Sequence, residues 1–304
     1  MAFPYKHVLL IGATAGIGRA MADRLIQAGV KVTAVGRRKD RLDDFVQKHG
    51  EQMASAVPFD ISVLENIPKF AAEIIDSYPD VDCIFLNAGI QAPFDLGDQA
   101  QFDLEKFNQQ MTVNFSSLVA LTHAFLPFLV GKENPTSIIF TGSNVAIVPA
   151  ASLPAYSASK AALNVFTLCL REQLQNSNVA VIEISPPPVQ TEIHDHLGEE
   201  TGRNFGMPID TFTDLAFKGL VAGQDQIVIG SIGPAETFNA MIDQRRKAFE
   251  DLAKRTITNV TFEDLVVNGK TIYDGMKKPS WYYTADFVPM FANEHIHNLT
   301  FTAP

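Results

Sequence analysis

The chain has 304 residues, of which 46% are hydrophobic and 19% charged, and this composition predicts a folded protein with a large buried core. Its formal net charge of −10 argues against a nucleic-acid binder that depends on phosphate contacts. The two cysteines, Cys83 and Cys169, lie far apart in apolar runs, so we expect core residues rather than a disulfide framework or a metal site.

The N-terminal residues MAFPYKHVLL lack the pattern of a signal peptide. No run looks long and apolar enough to span a bilayer. We therefore expect a cytoplasmic protein that has neither a membrane nor a nucleic acid as its partner.

Short apolar runs alternate with helical patterns along most of the chain. The first run, 7–11, ends at Gly12, and a helical pattern leads from there to the second run, 30–35. Strands are also predicted at 56–59, 83–86, 137–140, 179–184 and 226–229. Helices are predicted at 67–78 and 156–175, and 104–129 is either one long helix or a broken pair. Alternating strands and helices are typical of a parallel sheet covered on both faces. The pattern predicts an α/β fold with a doubly wound, seven-stranded parallel sheet.

The chain becomes less regular towards its C-terminal end. Several glycines interrupt helical stretches within 187–225, which we interpret as a lid over the carboxyl edge of the sheet. After Gly233 a charged amphipathic helix is predicted at 235–255, and Asn268-Gly269 between apolar flanks predicts a β-hairpin. We expect a domain at 1–233 and an extension at 234–304 that packs on the same domain or on a partner subunit.

A glycine-rich loop, GATAGIG, joins the first predicted strand to the first helix at residues 12–18. Small residues allow a backbone to approach a pyrophosphate, and a helix N-terminus offers free N–H groups to it. The glycine spacing differs from the G-x-G-x-x-G of the general dinucleotide fingerprint. Taken alone, the loop therefore also fits a turn that binds no ligand.

Tyr156 and Lys160 are four residues apart in a predicted helix and so share one face. A phenol has an ordinary pKa near 10, which is high for acid–base work at neutral pH. A neighbouring ammonium group favours the phenolate and lowers that pKa. The pair is therefore a candidate for proton transfer, although such a spacing also arises by chance.

Taken together, Gly12-x3-Gly16-Ile17-Gly18, Asn87-Ala88-Gly89, Asn114, Ser143 and Tyr156-x3-Lys160 closely resemble the short-chain dehydrogenase/reductase family. The resemblance covers about residues 5–233 and implies a Rossmann-like oxidoreductase. It makes Tyr156 the general acid in reduction, or the base in oxidation. Lys160 would bind the nicotinamide ribose and lower the pKa of Tyr156, and Ser143 would donate a hydrogen bond to the substrate carbonyl. Asn114 would kink its helix and support a water chain from Lys160.

The same resemblance implies the cofactor contacts. An acid at position 36 would bind the 2′-hydroxyl of NAD, but this position is Gly36, and Arg37 follows it as in NADP-preferring members. Arg38 either shares the phosphate or is solvated, and Lys39 and Arg41 begin the next helix. We therefore expect NADP(H) as cofactor. Its predicted contacts are Gly12, Thr14, Ala15, Gly16, Ile17, Gly18, Arg37, Arg38, Asp60, Ile61, Asn87, Ala88, Gly89, Tyr156, Lys160, Pro186, Val189 and Thr191.

Three positions depart from the family pattern, of which Leu86, where a second asparagine is common before Asn87, is a minor change. Ile11 stands where threonine is usual before the first loop glycine, so the loop is expected to be held mainly by packing. Pro187 replaces a glycine in the turn that would contact the nicotinamide through Val189 and Thr191. Proline fixes φ near −65° and removes a backbone donor. We expect a stiffened loop that retains the cofactor; alternatively, the prolines merely end the sixth strand.

The predicted substrate contacts lie in and near the lid. Phe205, Met207 and Phe212 are expected to form an apolar lid, which fits a hydrophobic substrate. His194 and His196 either contact the substrate or are solvated loop residues. The predicted contacts are Val145, His194, Phe205 and Met207.

The function expected from these features is NADPH-dependent reduction of a moderately hydrophobic ketone or aldehyde. One alternative is an NADP-dependent alcohol dehydrogenase that uses the same residues in reverse. Another is a non-redox isomerase, cyclase or nucleotide-sensing protein of the same fold, which the intact Tyr156–Lys160 pair disfavours. The family often pairs through the helices that contain Asn114 and Tyr156, so a homodimer or homotetramer is expected.

Overall fold

A seven-stranded parallel sheet forms the centre of the computed structural model, which describes residues 3–98 and 102–255 together with 266–267 and 270–271. The strand order is β3-β2-β1-β4-β5-β6-β7, and every neighbouring pair is parallel. The strands are β1 (His7–Ile11), β2 (Lys31–Gly36), β3 (Ala54–Pro58), β4 (Cys83–Leu86), β5 (Thr136–Thr141), β6 (Val179–Ser185) and β7 (Gln226–Val228). The predicted Rossmann-like, doubly wound fold is confirmed. The order reverses between β1 and β4, where such sheets bind ligands.

Helices connect consecutive strands and lie close to the predicted positions. They are α1 (Gly16–Gln27), α2 (Lys39–His49), α3 (Ile67–Ser77), α4 (Leu104–Met111), α5 (Ser117–Val130), α6 (Pro154–Gln173), α7 (Glu199–Arg203), α8 (Ile209–Val221) and α9 (Ala235–Arg255). The lid contains the turn Glu192–Leu197, α7 and α8.

Both faces of the sheet are buried, because successive side chains of a strand point to opposite sides. In β1, Val8 and Leu10 belong to the core on one face, which α1 and α8 cover. Leu9 and Ile11 belong to the core on the other face, which α3 and α5 cover. A strand buried on both faces is a continuous apolar run, which explains why the strands were visible in the sequence.

Two side chains lie elsewhere than expected. Cys83 is buried as predicted, but Cys169 is exposed. It lies four residues after Val165, itself 49% exposed, so this apolar pair faces outward from α6. Phe212 does not belong to the lid surface, because α8 packs it fully buried into the core beside α1.

The helical stretch 104–130 corrects the expectation that no run is long and apolar enough to span a bilayer. By length and composition alone, Leu104–Val130 is apolar enough to cross a membrane. Its apolar side chains include Leu121 and Phe125, which are fully buried in the core formed with α3 and the sheet. A buried core helix can be as long and as apolar as a membrane span, and burial in the core explains the apolar composition of this one.

The chain divides into two compact units, Met1–Arg246 and Lys247–Pro304. Within the second, β8 (Val266–Val267) pairs antiparallel with β9 (Lys270–Thr271), which confirms the predicted hairpin. Residues 256–265, 268–269 and 272–304 lie outside the described part of the chain. The packing of the predicted extension therefore stays a prediction.

Candidate active site

A cleft of about 830 Å³ opens at the carboxyl ends of the parallel strands. Residues that follow β1, β2, β4, β5 and β6 line it, so the topology brings segments far apart in sequence to one place. Among the predicted site residues, Gly18, Asn114 and Met207 do not line the cleft, and all the others do.

The glycine loop forms one wall of the cleft. Gly12 has φ +90°, and a Cβ there would lie 2.6 Å from the backbone of Ala88. Gly18 supports the loop from below, since a Cβ there would overlap the carbonyl oxygen of Gly12. The loop continues into α1, whose N-terminus begins at Gly16, next to Thr191. This cradle of bare backbone beside a helix N-terminus fits a pyrophosphate.

Hydrogen bonds also hold this loop, which was expected to be held mainly by packing because Ile11 replaces the usual threonine. The N–H groups of Gly12 and Ala13 donate to the carbonyl oxygen of Val35, at 2.8 and 3.0 Å. The Asn87 Nδ2 donates to the Gly12 carbonyl oxygen at 3.0 Å, and the Asn87 Oδ1 accepts from Thr141 Oγ1 at 2.8 Å. Asn87 thus ties the loop to the end of β5.

Lys160 lies one helical turn after Tyr156 on α6, and both side chains are buried. The Lys160 Nζ donates to the carbonyl oxygen of Thr141 at 2.8 Å and lies 5.7 Å from the centroid of the Tyr156 ring. Burial lowers the pKa of Lys160 to about 8, against an opposing effect of the Glu183 charge. The amine is therefore close to its titration point at neutral to mildly basic pH.

Burial raises the pKa of Tyr156 to about 12, although a hydrogen bond with the Ser143 hydroxyl opposes the rise. The expected lowering of this pKa by Lys160 is not seen, and burial is the largest cause of the shift. Ser143 follows β5, is 7% exposed, and accepts a hydrogen bond from the Val145 N–H at 3.3 Å. Ser143 and a protonated Tyr156 thus place two hydroxyl groups together in the cleft.

Asn114 supports the site from behind. It is fully buried in a π-helical turn, Thr112–Ser116, which interrupts the helix between α4 and α5 where a kink was predicted. Its Oδ1 accepts from the Ile90 N–H at 2.8 Å, and its Nδ2 donates to the Ile90 carbonyl oxygen at 2.9 Å and to Ser159 Oγ at 3.1 Å. Asn114 therefore fixes the segment after Gly89 against α6.

Arg37, Arg38 and Asp60 lie at the opposite end of the cleft, beyond β2 and β3. Arg37 is exposed, while Arg38 donates from Nε and Nη2 to Thr14 Oγ1, at 3.1 and 2.9 Å. A Cβ added to Gly36 would lie 2.5 Å from Thr14 Cγ2, so a side chain there would require the Thr14 side chain to shift. The Asp60 Oδ1 accepts from the Ser62 N–H at 2.9 Å.

Glu192 is the main residue of the cleft that the sequence did not reveal. It pairs with Arg38 at 2.5 Å and with Arg41 at 2.8 Å, so the Arg38 guanidinium, on a side chain that is 41% exposed, is already engaged by a carboxylate of the protein. An acid directly after the predicted contact Thr191 was the only available signal. Arg41 lies in the first turn of α2, as expected.

The proline-rich turn begins where β6 ends, at Ser185. The Pro186 carbonyl oxygen accepts from the Asn144 N–H at 3.0 Å, and Pro187 packs close to Gly230. Thr191 lies against Gly16, where a Cβ would come within 3.3 Å of the threonine side chain. The prolines do end the strand, and the turn still brings Val189 and Thr191 to the cleft.

The predicted substrate contacts divide into two groups. Val145, His194 and Phe205 line the cleft. His194 is 8% exposed, its ring lies 5.3 Å from that of Phe205, and burial lowers its pKa, so it is not a solvated loop residue; His196 is exposed. Met207 was predicted wrongly, because its backbone bridges to Pro188 and Val189 while its side chain packs against the core.

Comparisons with known proteins are consistent with this geometry. The sequence model of a family described as short chain dehydrogenase matches residues 6–202. An uncharacterized oxidoreductase, DltE, from Bacillus subtilis is 32% identical over 225 residues, which cover 72% of this chain and 86% of the relative. The NADP-dependent 3-hydroxy acid dehydrogenase YdfG from Shigella flexneri is 33% identical over 59% of this chain and 71% of its own length.

Among solved structures, a short-chain dehydrogenase/reductase from Burkholderia phymatum in complex with NAD has a TM-score of 0.69. It is 20% identical, and the match covers 86% of this chain and 99% of that one. At this identity the likeness concerns the fold alone. The relatives include one named for NADP and one solved with NAD, so they leave the choice of cofactor open.

Proposed function

Since this chain belongs to the short-chain dehydrogenase family, and is thus an oxidoreductase of alcohol or carbonyl groups, we propose that it is an NADPH-dependent reductase of moderately hydrophobic ketones or aldehydes. One observation carries the proposal. Ser143, Tyr156 and Lys160 lie together in the same cleft as the glycine loop.

The residues divide the work of such a reaction. The reduced nicotinamide supplies the hydride to the carbonyl carbon. Negative charge then grows on the carbonyl oxygen, and preorganised donors stabilise it. Ser143 donates a hydrogen bond to that oxygen, and Tyr156 gives it a proton. Lys160 binds the nicotinamide ribose, and its positive charge stabilises the phenolate that remains after Tyr156 has donated its proton. Asn114 holds the adjoining backbone in place.

The two directions of the reaction need opposite protonation states of Tyr156. With its pKa raised to about 12, the phenol holds its proton at neutral pH and is ready to act as an acid. The oxidative direction would need the phenolate. An NADP-dependent alcohol dehydrogenase therefore remains the alternative that the direction of turnover would distinguish.

The end of the cleft at Arg37, Arg38 and Asp60, called the ribose end below, supports NADP(H) as the cofactor. No carboxylate that would select NAD stands at position 36, and a side chain there would displace the Thr14 side chain. Arg37 and Arg38 place two guanidinium groups at this end, and such groups recognise phosphate well. We propose the predicted cofactor contacts on this basis, apart from Gly18, which supports the loop from below.

A cytoplasmic location and a homodimer or homotetramer complete the proposal. The assembly is supported by apolar side chains on the outside of the two helices expected to pair: Leu104 is 59% exposed and Val165 is 49% exposed.

A direct assay tests the reaction. The loss of NADPH absorbance is followed with a panel of ketones and aldehydes, and the formation of NADPH with NADP+ and the matching alcohols. The control is Tyr156→Phe, which keeps the ring in its buried position and removes only the hydroxyl. We expect kcat to fall by about 10²- to 10⁴-fold in this variant, with NADPH binding retained.

Three outcomes contradict the proposal in different ways. Equal turnover of every active carbonyl by wild type and Tyr156→Phe would refute the role of the phenol. Turnover only with alcohols would favour the dehydrogenase. Tight nucleotide binding without any redox turnover would favour a non-redox protein of this fold.

A further inference from the structure

Glu192 joins the lid to the ribose end of the cleft. It is the first residue of the turn Glu192–Leu197, directly after Thr191. One carboxylate oxygen pairs with Arg38 Nη1 at 2.5 Å and the other with Arg41 Nη1 at 2.8 Å. The Glu192 side chain is 30% exposed and those of Arg38 and Arg41 are 41% and 39% exposed, so these ion pairs are partly exposed.

Both arginines also donate hydrogen bonds to Thr14 in the glycine loop. Arg38 donates twice to Thr14 Oγ1, and Arg41 donates to the Thr14 carbonyl oxygen at 3.5 Å. Arg38 thus spends three of its five donors on protein groups. Neighbouring Arg37 is exposed, and among the described residues its side chain shows no hydrogen bond or ion pair.

The charge of Glu192 matters for a phosphate at this end. Burial raises the pKa of Glu192, but hydrogen bonds and charges from Arg41 and Arg38 outweigh burial and lower it, so the group is an anion at neutral pH. A phosphate monoester also carries between one and two negative charges there. Two anions within a few ångströms of one guanidinium repel each other and compete for its donors.

We propose that Glu192 is a specificity-determining residue that competes with the 2′-phosphate of NADP(H) for Arg38. In the structure it occupies the guanidinium that the phosphate would use, so the phosphate must displace it or bind beside its charge. Glu192 thereby weakens the preference for NADP(H) over NAD(H). The inference deepens the proposed function and rests on its assignment of NADP(H).

The test is a titration of the full chain with NADPH and with NADH, followed by cofactor fluorescence, which needs no substrate or turnover. Glu192→Gln keeps the size of the side chain and removes its charge. We expect this variant to bind NADPH roughly fivefold more tightly than wild type, with little change for NADH. The gain should shrink as salt rises, because the competing charges are partly exposed.

Asp43→Asn is the matched control. It also removes one negative charge near the ribose end, on the same helix as Arg41, but its partner is the exposed Lys39 at 2.6 Å. We expect its NADPH affinity to equal that of wild type. A gain as large as that of Glu192→Gln would show a general charge effect and overturn the inference.

The remaining outcomes separate this inference from the proposed function. Glu192→Gln overturns the inference if it strengthens both cofactors equally, leaves both unchanged, or weakens NADPH binding. Arg37→Ala tests the cofactor assignment itself and should weaken NADPH much more than NADH. Equal loss of both cofactors in Arg37→Ala would remove the NADP(H) assignment. A selective loss in Arg37→Ala beside an unchanged Glu192→Gln would refute the competition alone.

Discussion

At the scale of single residues, burial controls the protonation of the two acid–base groups. It lowers the pKa of Lys160 to about 8 and raises that of Tyr156 to about 12. Both shifts favour the neutral form, because removal from water penalises charge. Lys160 keeps much of its charge near pH 7 with the help of Glu183, whose charge raises the pKa of the amine. The site thus contains a protonated phenol and an ammonium group that easily loses a proton.

The pKa of Lys160 predicts a pH-dependent stability. In the unfolded chain its pKa is near 10.4, so between about pH 8 and pH 10.4 the unfolded state binds more protons than the folded one. This group therefore makes unfolding less favourable as pH rises through that window. Lys160→Met removes the effect. We expect the stability of wild type relative to Lys160→Met to rise between pH 8 and pH 10, as measured by urea unfolding at each pH.

The comparison between the two proteins cancels the titrating groups that do not interact with Lys160, including Tyr156, which ionises in the unfolded state near pH 10. A constant difference across the whole range would mean that Lys160 has an ordinary pKa when folded. A difference that fell as pH rose would mean that folding stabilises the ammonium form, contrary to a lowered pKa of the buried amine.

The proposed catalytic residues were the most predictable part of the site. Ser143, Tyr156 and Lys160 come from motifs whose spacing fixes their place on the fold, and the structure brings them into one cleft. Glu192 and Met207 were missed or misplaced because their positions depend on the path of the lid. That path follows from contacts such as the pairing of Val189 with Met207, which leave no periodic signal in the sequence.

At the scale of elements, the neighbouring strands β5 and β6 set the position of the site. Phe140 pairs in register with Glu183, and Thr141 with Ile184. The Glu183 side chain is fully buried against Gly142, and its Oε2 accepts from Asn164 Nδ2 at 2.7 Å. Gly142 lies between Thr141, which accepts from Lys160, and Ser143. Its lack of a side chain therefore allows a buried acid to approach the site.

Gly142→Ala tests this packing, since the added Cβ would overlap a carboxylate oxygen of Glu183. We expect a loss of about 1–3 kcal/mol in the free energy of unfolding, measured with urea, because overpacking a core forces side chains to shift. In a Glu183→Ala background the same change should cost less, since the obstructing group is gone. An equal cost in both backgrounds would place the strain elsewhere.

The elements themselves were largely predictable, for identifiable reasons. Strands buried on both faces are unbroken apolar runs, and the predicted and observed β1 and β4 coincide. Periodicity alone left 104–129 as one long helix or a broken pair, and the site of the π-helical turn Thr112–Ser116 was indicated only by Asn114 through the family resemblance. The outward direction of Cys169 was not predicted, because an apolar run within a helix does not show which face of the helix packs against the core.

At the scale of the whole molecule, the first part of α9 is integrated into the catalytic unit. Phe238 is fully buried and Ile242 is 7% exposed. Arg246 pairs bidentately with Asp225, at 2.8 and 2.7 Å, and Arg245 donates to Asn164 Oδ1, the residue that also holds Glu183. The compact unit accordingly extends to Arg246, beyond the boundary at 233 expected from the change of sequence pattern.

This integration predicts different results for two truncations. A chain ending at Gly233 loses the burial of Phe238 and Ile242, each worth about 1.5–3 kcal/mol, and should be destabilised by at least about 3 kcal/mol in urea unfolding. A chain ending at Arg255 keeps the whole helix and should retain the stability of Met1–Arg246. Light scattering on both chains then tests the expected extension. Dissociation of the chain ending at Arg255 would assign the later residues to subunit pairing, whereas equal stability of the two truncations would contradict the role given to α9.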